Sequence, residues 1–154
     1  MSFLTILLIV AAVYIVLTIM NTRKRIKYIN NRLESIKLNK NEVESREGIE
    51  EKLSVLDRYM NYYILSNEGE VYSLKADDKN LEHLGDIKDI SMEEKYEQKG
   101  FGWAACEELR FAVVKIISDK GEFETMFHSE YMEDVKSFIN GVKEKINTKE
   151  IKTV

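Results

Sequence analysis

Few side chains in this sequence are of the kinds that carry out acid–base, nucleophilic or metal chemistry. The chain of 154 residues has two histidines and one cysteine. His128, Glu130 and Cys106 together contain the donor atoms of a zinc site, but their spacing matches no metal-binding pattern. Glu107 and Glu108 adjoin Cys106 and disfavour the thiolate that a nucleophile requires. The sequence has neither a phosphate-binding glycine loop nor a serine-nucleophile motif. We therefore expect no catalytic residue, no metal site and no cofactor.

Cys106 and His128 also have simpler structural interpretations. A cysteine without a reactive setting is usually a small apolar residue of the core, and we expect Cys106 to be buried. We expect His128 to lie at the end of a strand or on the surface.

The stretch GFGW, residues 100–103, alternates two glycines with two large aromatic residues, Phe101 and Trp103. Two interpretations stay open. The stretch is a mobile loop that contacts a partner, or it is the start of a strand that packs both rings into the core, where the aromatic residues of small domains usually lie.

The elements that carry these residues follow an apolar N-terminal stretch. Residues 3–20 contain no charge, and twelve of these eighteen are Leu, Ile, Val or Phe. As a helix they just cross a hydrocarbon core of about 30 Å. A signal peptide would have a basic start, a shorter apolar core and a small-residue cleavage site, and residues 1–22 lack this pattern. We predict an uncleaved transmembrane anchor over 1–22, since a buried helix of a soluble domain would have a polar face.

A basic cluster follows the apolar stretch at once and predicts its orientation. Lys and Arg beside a span stay on the cytoplasmic side. The membrane-orienting residues are Arg23, Lys24, Arg25 and Lys27. We therefore expect an integral, single-pass protein of the cell membrane, with its N-terminus outside and its C-terminal domain in the cytoplasm.

Residues 23–58 are predicted to form a basic juxtamembrane helix or short coiled coil. Apolar side chains recur at alternating spacings of three and four, with one lysine among them, which is typical of a coiled-coil seam. The seam residues are Ile26, Ile29, Leu33, Ile36, Lys40 and Val43. Either the seam pairs two chains in a homodimer, or the helix lays it on its own domain or on the membrane surface. Ile49, Leu53 and Leu56 then predict a second, shorter helix.

The periodicity changes to that of strands in the next domain, residues 59–147. Residues 62–76 and 111–129 each predict a strand, a turn and a second strand. In both turns an Asn or Asp precedes a glycine by two residues, so we expect Gly69 and Gly121 to have positive φ angles.

Shorter elements fill the remainder of this domain. We predict a strand over 84–91, a helix over 92–99 that begins with a capping box, and a short strand over 103–106. An amphipathic helix capped by Ser129 closes the domain, and residues 148–154 are predicted to be a disordered tail. The apolar stripe of this helix is Met132, Val135, Phe138, Ile139, Val142 and Ile146.

Charge is distributed unevenly along the chain. Residues 23–45 have seven Lys or Arg against three Asp or Glu, a net charge of +4, and residues 46–154 have sixteen against twenty-four, a net charge of −8. An acidic domain excludes nucleic acid as the expected partner, because phosphate contacts need a basic surface. A single cysteine allows no internal disulfide, which fits a reducing cytoplasm.

The predicted fold class is α+β. A transmembrane helix continues into a juxtamembrane helix, and a small antiparallel sheet or partial barrel is closed by a C-terminal helix. Three segments within 60–147 resemble the bacterial pleckstrin-homology-like (PH-like) domains often found beside membrane segments: YYILSNEGEVYSL, LGDIKDISM and FAVVKIISDKGEFETMFHSEYMEDVKSFINGVKEKI. That resemblance implies a bent barrel of seven strands plugged by a helix, whereas the patterns here predict five or six strands. It does not imply phosphoinositide binding, because the first turn is NEGE and not basic.

The sequence thus predicts a membrane-anchored cytoplasmic interaction or regulatory module with an unknown protein partner. A lipid-sensing PH-like domain at the membrane surface is the second hypothesis, and the charge of −8 counts against it because anionic lipid would repel the domain. An enzyme is the third and least favoured hypothesis.

Overall fold

The computed structural model describes residues 2–152. It consists of a long N-terminal helix, two antiparallel sheets and a C-terminal helix, so the α+β class is confirmed. The elements in chain order are α1 (Phe3–Glu47), β1 (Glu51–Leu56), β2 (Tyr62–Ser66), β3 (Val71–Leu74), β4 (Leu81–His83), β5 (Ile87–Lys99), β6 (Cys106–Ser118), β7 (Gly121–His128) and α2 (Met132–Lys152). Short 3₁₀ helices, Gly102–Ala104 and Ser129–Tyr131, precede β6 and α2. The chain divides into two units, Met1–Leu38 and Asn39–Val154.

Helix α1 joins the predicted span and the predicted juxtamembrane helix in one element. All residues from 3 to 20 are exposed and none is charged, so this part of the helix presents apolar side chains on every side. Within the described chain, α1 is the one helix long and apolar enough to cross a membrane. It ends at Glu47, where Gly48 has a φ of 69° and Ile49 N donates to Glu44 O at 3.0 Å. Glycine adopts this left-handed conformation without steric strain, and so it terminates the helix.

The first sheet has the order β1-β2-β3-β4, and all of its neighbours are antiparallel. Strand β2 is buried along its whole length because it lies inside the sheet and under other elements. Its connection to β3 has the predicted glycine, Gly69, with a φ of 89°.

The second sheet has the order β5-β6-β7 and is also antiparallel. The predicted hairpin of β6 and β7 is confirmed, and Gly121 at its turn has a φ of 136°. Strands β5 and β6 pair from Ile87 to Lys99, whereas β7 pairs with β6 only between Phe111 and Ser118. The described strands form two sheets and no closed barrel.

One hydrophobic core joins both sheets and α2. The predicted stripe of α2 is buried in it together with inward-facing residues of the strands. Each large apolar side chain that is fully buried contributes about 1.5–3 kcal/mol, so this stripe is a main support of the fold. Gly141 lies where α2 packs closely on the first sheet, since a Cβ atom there would stand 2.9 Å from Leu65 Cδ2.

Several of the shorter predicted elements are wrong. The helix predicted from Ile49, Leu53 and Leu56 is strand β1, which pairs with β2. The helix predicted over 92–99 is the second half of β5. Of the strand predicted over 103–106, Trp103 and Ala104 belong to a 3₁₀ helix and only Cys106 is in a strand, β6. The strand predicted over 84–91 is confirmed only from Ile87 onward.

The C-terminal helix differs from its prediction at both ends. It begins at Met132, and Ser129 starts the preceding 3₁₀ helix instead of capping α2. It extends to Lys152, so the residues from 148 to 152 that were predicted as tail are helical. Residues 153–154 lie outside the described chain.

Candidate functional site: the tip of the β5–β6 hairpin

The far end of the β5–β6 hairpin extends beyond β7 and carries the two aromatic residues noted in the sequence. We call residues 100–105 the aromatic tip. Phe101 is 94% exposed and Trp103 is 101% exposed. The interpretation that packs these rings into the core is therefore wrong. Among the described residues, β7 pairs with β6 no further than Phe111, so no third strand pairs with residues 106–110.

The backbone of the aromatic tip is shaped by its glycines. Gly100 has a φ of 93° and Gly102 a φ of 59°. A Cβ atom at Gly102 would meet no neighbour within 4 Å, so glycine is required there by the backbone and not by crowding. A 3.2 Å hydrogen bond from Ala105 N to Gly102 O closes the short 3₁₀ helix.

Ion pairs hold the arms of the hairpin just below the aromatic tip. Lys99 pairs with Glu108, and Arg110 Nε lies 3.4 Å from Glu97 Oε2. The hydrogen bond to Glu108, and then its charge, raise the pKa of Lys99. The stretch GFGWAAC at 100–106 has no charged side chain, and Glu107 follows it directly.

The residues considered for chemistry do not come together. Cys106 is exposed at the start of β6, so the prediction that it is buried is wrong. The prediction for His128 is confirmed, because it is exposed at the end of β7. Among residues 2–152, no three His, Cys, Asp or Glu side chains are placed to hold a metal ion.

A buried carboxylate that the sequence patterns missed lies in the β1–β2 turn. Asp57 is 4% exposed. Its Oδ1 accepts hydrogen bonds from the backbone N atoms of Tyr59 and Asn61, both at 2.8 Å. Its Oδ2 accepts from Asn61 Nδ2 at 3.0 Å and from Thr125 Oγ1 at 2.6 Å. Because Thr125 is on β7, Asp57 ties the first sheet to the second. The signal available in the sequence was Asp57 with Asn61 four residues later, between two apolar runs.

A second polar cluster surrounds Lys40, which is 8% exposed. We call Lys40, Glu44, Glu51 and Tyr62 the Lys40 cluster. Lys40 Nζ is hydrogen-bonded to Glu51 and lies 3.7 Å from Glu44 Oε2. It also stands 5.4 Å from the centre of the Tyr62 ring, within the range of a cation–π contact. The position of Glu51 could not be predicted, since its strand was taken for a helix.

The pKa values of the two carboxylates in the Lys40 cluster are shifted in opposite directions. Burial raises the pKa of Glu44 above its ordinary value, and the nearby charge of Lys40 opposes this only in part. Burial acts in the same direction on Glu51, but the hydrogen bonds from Lys40 and Ser54 outweigh it and lower the pKa. Oε1 of Glu44 is buried without a hydrogen-bond partner, which makes the charged form of this side chain unfavourable.

The residues of the predicted seam differ in exposure. Ile26 is exposed, Ile29 and Leu33 are half-buried, and Ile36, Lys40 and Val43 are buried. A second chain could therefore meet only the first three of these residues freely, and the homodimer stays a prediction. The membrane-orienting residues Arg23, Lys24, Arg25 and Lys27 are all exposed on α1.

An open acidic cleft of about 380 Å³ lies beside the end of α1 and the β2–β3 turn. Its acidic side chains are Glu47, Glu50 and Glu68, and Tyr72 lines it as well. No structural feature of the cleft indicates a particular ligand.

Comparison with known proteins gives no relative to set beside this geometry. No family model matches the chain, and neither a curated protein nor a solved structure matches it.

Proposed function

We propose that this chain is a single-pass membrane protein whose second unit is a cytoplasmic interaction or regulatory module without catalytic activity. The observation that carries the proposal is the surface of α1, where residues 3–20 are apolar, uncharged and exposed on every side. Each Leu, Ile, Val or Phe near the centre of a span contributes roughly −0.3 to −0.6 kcal/mol to insertion. Lipid is therefore the favourable environment for this helix.

The basic cluster supports the proposed orientation. Arg23, Lys24, Arg25 and Lys27 lie directly after the span, within the distance over which positive charge sets topology. The variant in which all four become Gln should insert in mixed or inverted orientation. A protease-sensitive tag after the last residue reports the side, and carbonate extraction reports whether the chain is integral.

A matched control removes the same number of cations far from the span, by changing Lys75, Lys79, Lys88 and Lys120 to Gln. This control should keep the wild-type topology. An unchanged cytoplasmic tag in the first variant would contradict our reason for the orientation. Release of the wild-type chain by carbonate would contradict the anchor itself.

We propose a protein as the partner of the second unit. Residues 46–154 carry a net charge of −8, so a partner with a basic surface is favoured by electrostatic complementarity. Affinity capture from membranes with the full chain should recover a protein that residues 1–47, carrying the same tag, do not. Its yield should fall as salt is raised. Identical proteins recovered by both baits would contradict a partner of the second unit.

The alternative proposal is a PH-like, lipid-sensing domain. It is supported by two antiparallel sheets followed by a C-terminal helix. Residues 60–147 contain six strands, and β1, which precedes them, brings the total to the seven that the resemblance implies. Flotation of residues 39–154 with liposomes separates the alternatives, once circular dichroism shows that this fragment is folded. Strong binding to anionic liposomes would favour lipid sensing over a protein partner.

A further inference from the structure

The aromatic tip is the place where the second unit exposes its largest apolar side chains without charge around them. Phe101 and Trp103 lie at the end of a hairpin whose arms, 96–99 and 106–110, extend past β7. Scattered exposed apolar residues need no explanation, but two fully exposed aromatic rings at one tip mark a contact surface.

We infer that the aromatic tip inserts into the interfacial layer of a lipid bilayer. The inference rests on the proposed membrane anchoring, since the anchor keeps each copy of the second unit close to lipid and so raises the effective concentration of this surface. Trp is enriched at membrane–water interfaces, where its apolar ring and its N–H group both find suitable surroundings.

The distribution of charge on the hairpin supports a bilayer over a protein groove. The seven residues 100–106 contain no charge, so they enter the interface without desolvating one. Residues 95–110 have three Lys or Arg and three Glu, a net charge of zero, although 46–154 as a whole is strongly acidic. The ion pairs of Lys99 with Glu108 and of Arg110 with Glu97 join four of these six charges, and Lys95 pairs with Glu93 just outside the stretch.

Tyr96 adds a third aromatic residue on the β5 arm. It is exposed, and its hydroxyl donates to Glu94. Tyr96 lies behind the ion pairs of the arms, so it is not part of the inserted surface. Insertion of this kind depends on apolar contact, so it requires no anionic lipid and is not weakened by salt.

Trp103 is the only tryptophan in the chain and therefore reports on the aromatic tip without a label. The full chain is reconstituted in phosphatidylcholine vesicles whose acyl chains carry bromine, which quenches tryptophan on contact. We expect Trp103 to lose most of its emission relative to ordinary phosphatidylcholine vesicles, and to resist quenching by iodide in water. Both effects should persist at high salt and should not increase when phosphatidylglycerol is added.

A matched control moves the probe to another exposed loop. The double variant Trp103→Phe and Tyr59→Trp places the only tryptophan in the β1–β2 turn, where Tyr59 is exposed. This probe should keep its emission in brominated vesicles and be quenched by iodide. A second variant, Phe101→Ser, should reduce the bromine quenching of Trp103 several-fold by removing half of the inserted apolar surface.

Three results would overturn the inference. Trp103 that keeps its emission in brominated vesicles and is quenched by iodide is not in lipid. Trp103 that is open to iodide in pure lipid vesicles but protected in native membranes binds a protein. A chain that carbonate releases from the vesicles has no anchor, which also contradicts the proposed function, whereas the first two results leave the anchor intact.

Discussion

Two turns of the second unit are built in opposite ways. In the β1–β2 turn, the buried carboxylate of Asp57 accepts four hydrogen bonds, one of them from Thr125 on the other sheet. The backbone is also fixed, because Arg58 N donates to Met126 O at 2.7 Å. At the aromatic tip, a single backbone hydrogen bond closes the turn, and Phe101 and Trp103 extend into solvent.

The difference separates residues that hold the fold from residues that are free for contact. Four hydrogen bonds to one buried carboxylate are explained by stability, because the buried Thr125 hydroxyl and the partly buried donors of the turn satisfy it. Two exposed aromatic rings contribute no burial to the core and are not explained by stability. This contrast is why we assign binding to the aromatic tip and a structural role to Asp57.

Among variants in the two turns, the largest effect is expected from Asp57→Ala. It leaves the N–H groups of the turn and the Thr125 hydroxyl without their acceptor in a buried site, and we expect a loss of about 3 kcal/mol in the free energy of unfolding. Urea unfolding of the full chain in mild detergent, followed by circular dichroism of the sheets, measures this loss. The control is Asp134→Ala, at an exposed position in the first turn of α2, which should change stability by less than about 0.5 kcal/mol. Equal effects of the two variants would contradict a structural role for Asp57.

Thr125→Val should have about half of this effect. Valine keeps the shape of the side chain and removes only the hydroxyl that donates to Asp57 Oδ2 at 2.6 Å. Hydrogen bonds to charged groups contribute about 1.5–3 kcal/mol, and Asn61 still occupies the same oxygen, so we expect a loss near the lower limit. In the double variant with Asp57→Ala, the two losses in the free energy of unfolding should not add, because both substitutions remove the same hydrogen bond between Thr125 and Asp57. Additive losses would show that Thr125 acts independently of Asp57.

The sequence predicted the elements whose pattern is local and missed those decided by pairing. The turns at Gly69 and Gly121 and the stripe of α2 follow from short-range chemistry, and they are present. Residues 92–99, MEEKYEQK, consist mostly of good helix formers, yet they form a strand because each residue pairs with β6. Partners such as Glu108 lie too far along the chain for a local pattern to show them.

The sequence indicated which residues form the aromatic tip, but it did not predict that their side chains are exposed. The alternation of glycine with Phe101 and Trp103 marked the stretch, but the usual burial of aromatic rings favoured the core. What decides the matter is the length of β7, which ends before it can cover the hairpin arms. The Lys40 cluster was only half predictable, since Glu44 lies one helical turn from Lys40 whereas Glu51 reaches it from β1.

A smaller effect is expected at Glu44, a carboxylate that is only partly buried and, unlike Asp57, lacks a hydrogen-bond partner for one oxygen. Its pKa is raised above 4.5 in the folded state by burial. The Glu44 carboxyl therefore binds its proton more tightly in the folded state than in the unfolded chain. The contribution of the protonated carboxyl to the free energy of unfolding is lost as pH rises from 4.5 through the folded pKa. Glu44→Gln should slightly stabilise the protein at neutral pH, by less than Thr125→Val destabilises it, and should flatten the pH dependence in this window.

Glu51→Gln is the matched control within the same cluster. Burial opposes but does not cancel the hydrogen bonds that lower the pKa of Glu51, so its contribution is present at neutral pH and is lost as pH falls through the folded pKa. This variant should be less stable than the wild type at neutral pH. Urea unfolding at a series of pH values measures both variants. Destabilisation by Glu44→Gln at neutral pH would show that attraction to Lys40 outweighs the burial of the carboxylate.

The smallest effect is expected at the aromatic tip itself. The double variant Phe101→Ser and Trp103→Ser removes two rings that are already in contact with solvent, so the free energy of unfolding should change by less than about 0.5 kcal/mol. Phe127→Ser is the control, because this ring is 2% exposed and its loss should remove several kcal/mol, roughly 4. The same urea experiment compares the two. A loss above about 1 kcal/mol from the tip variant would mean that the rings pack on the fold and that the aromatic tip is not a free contact surface. An unchanged stability, combined with the loss of bromine quenching in Phe101→Ser, would separate binding from folding at these two residues.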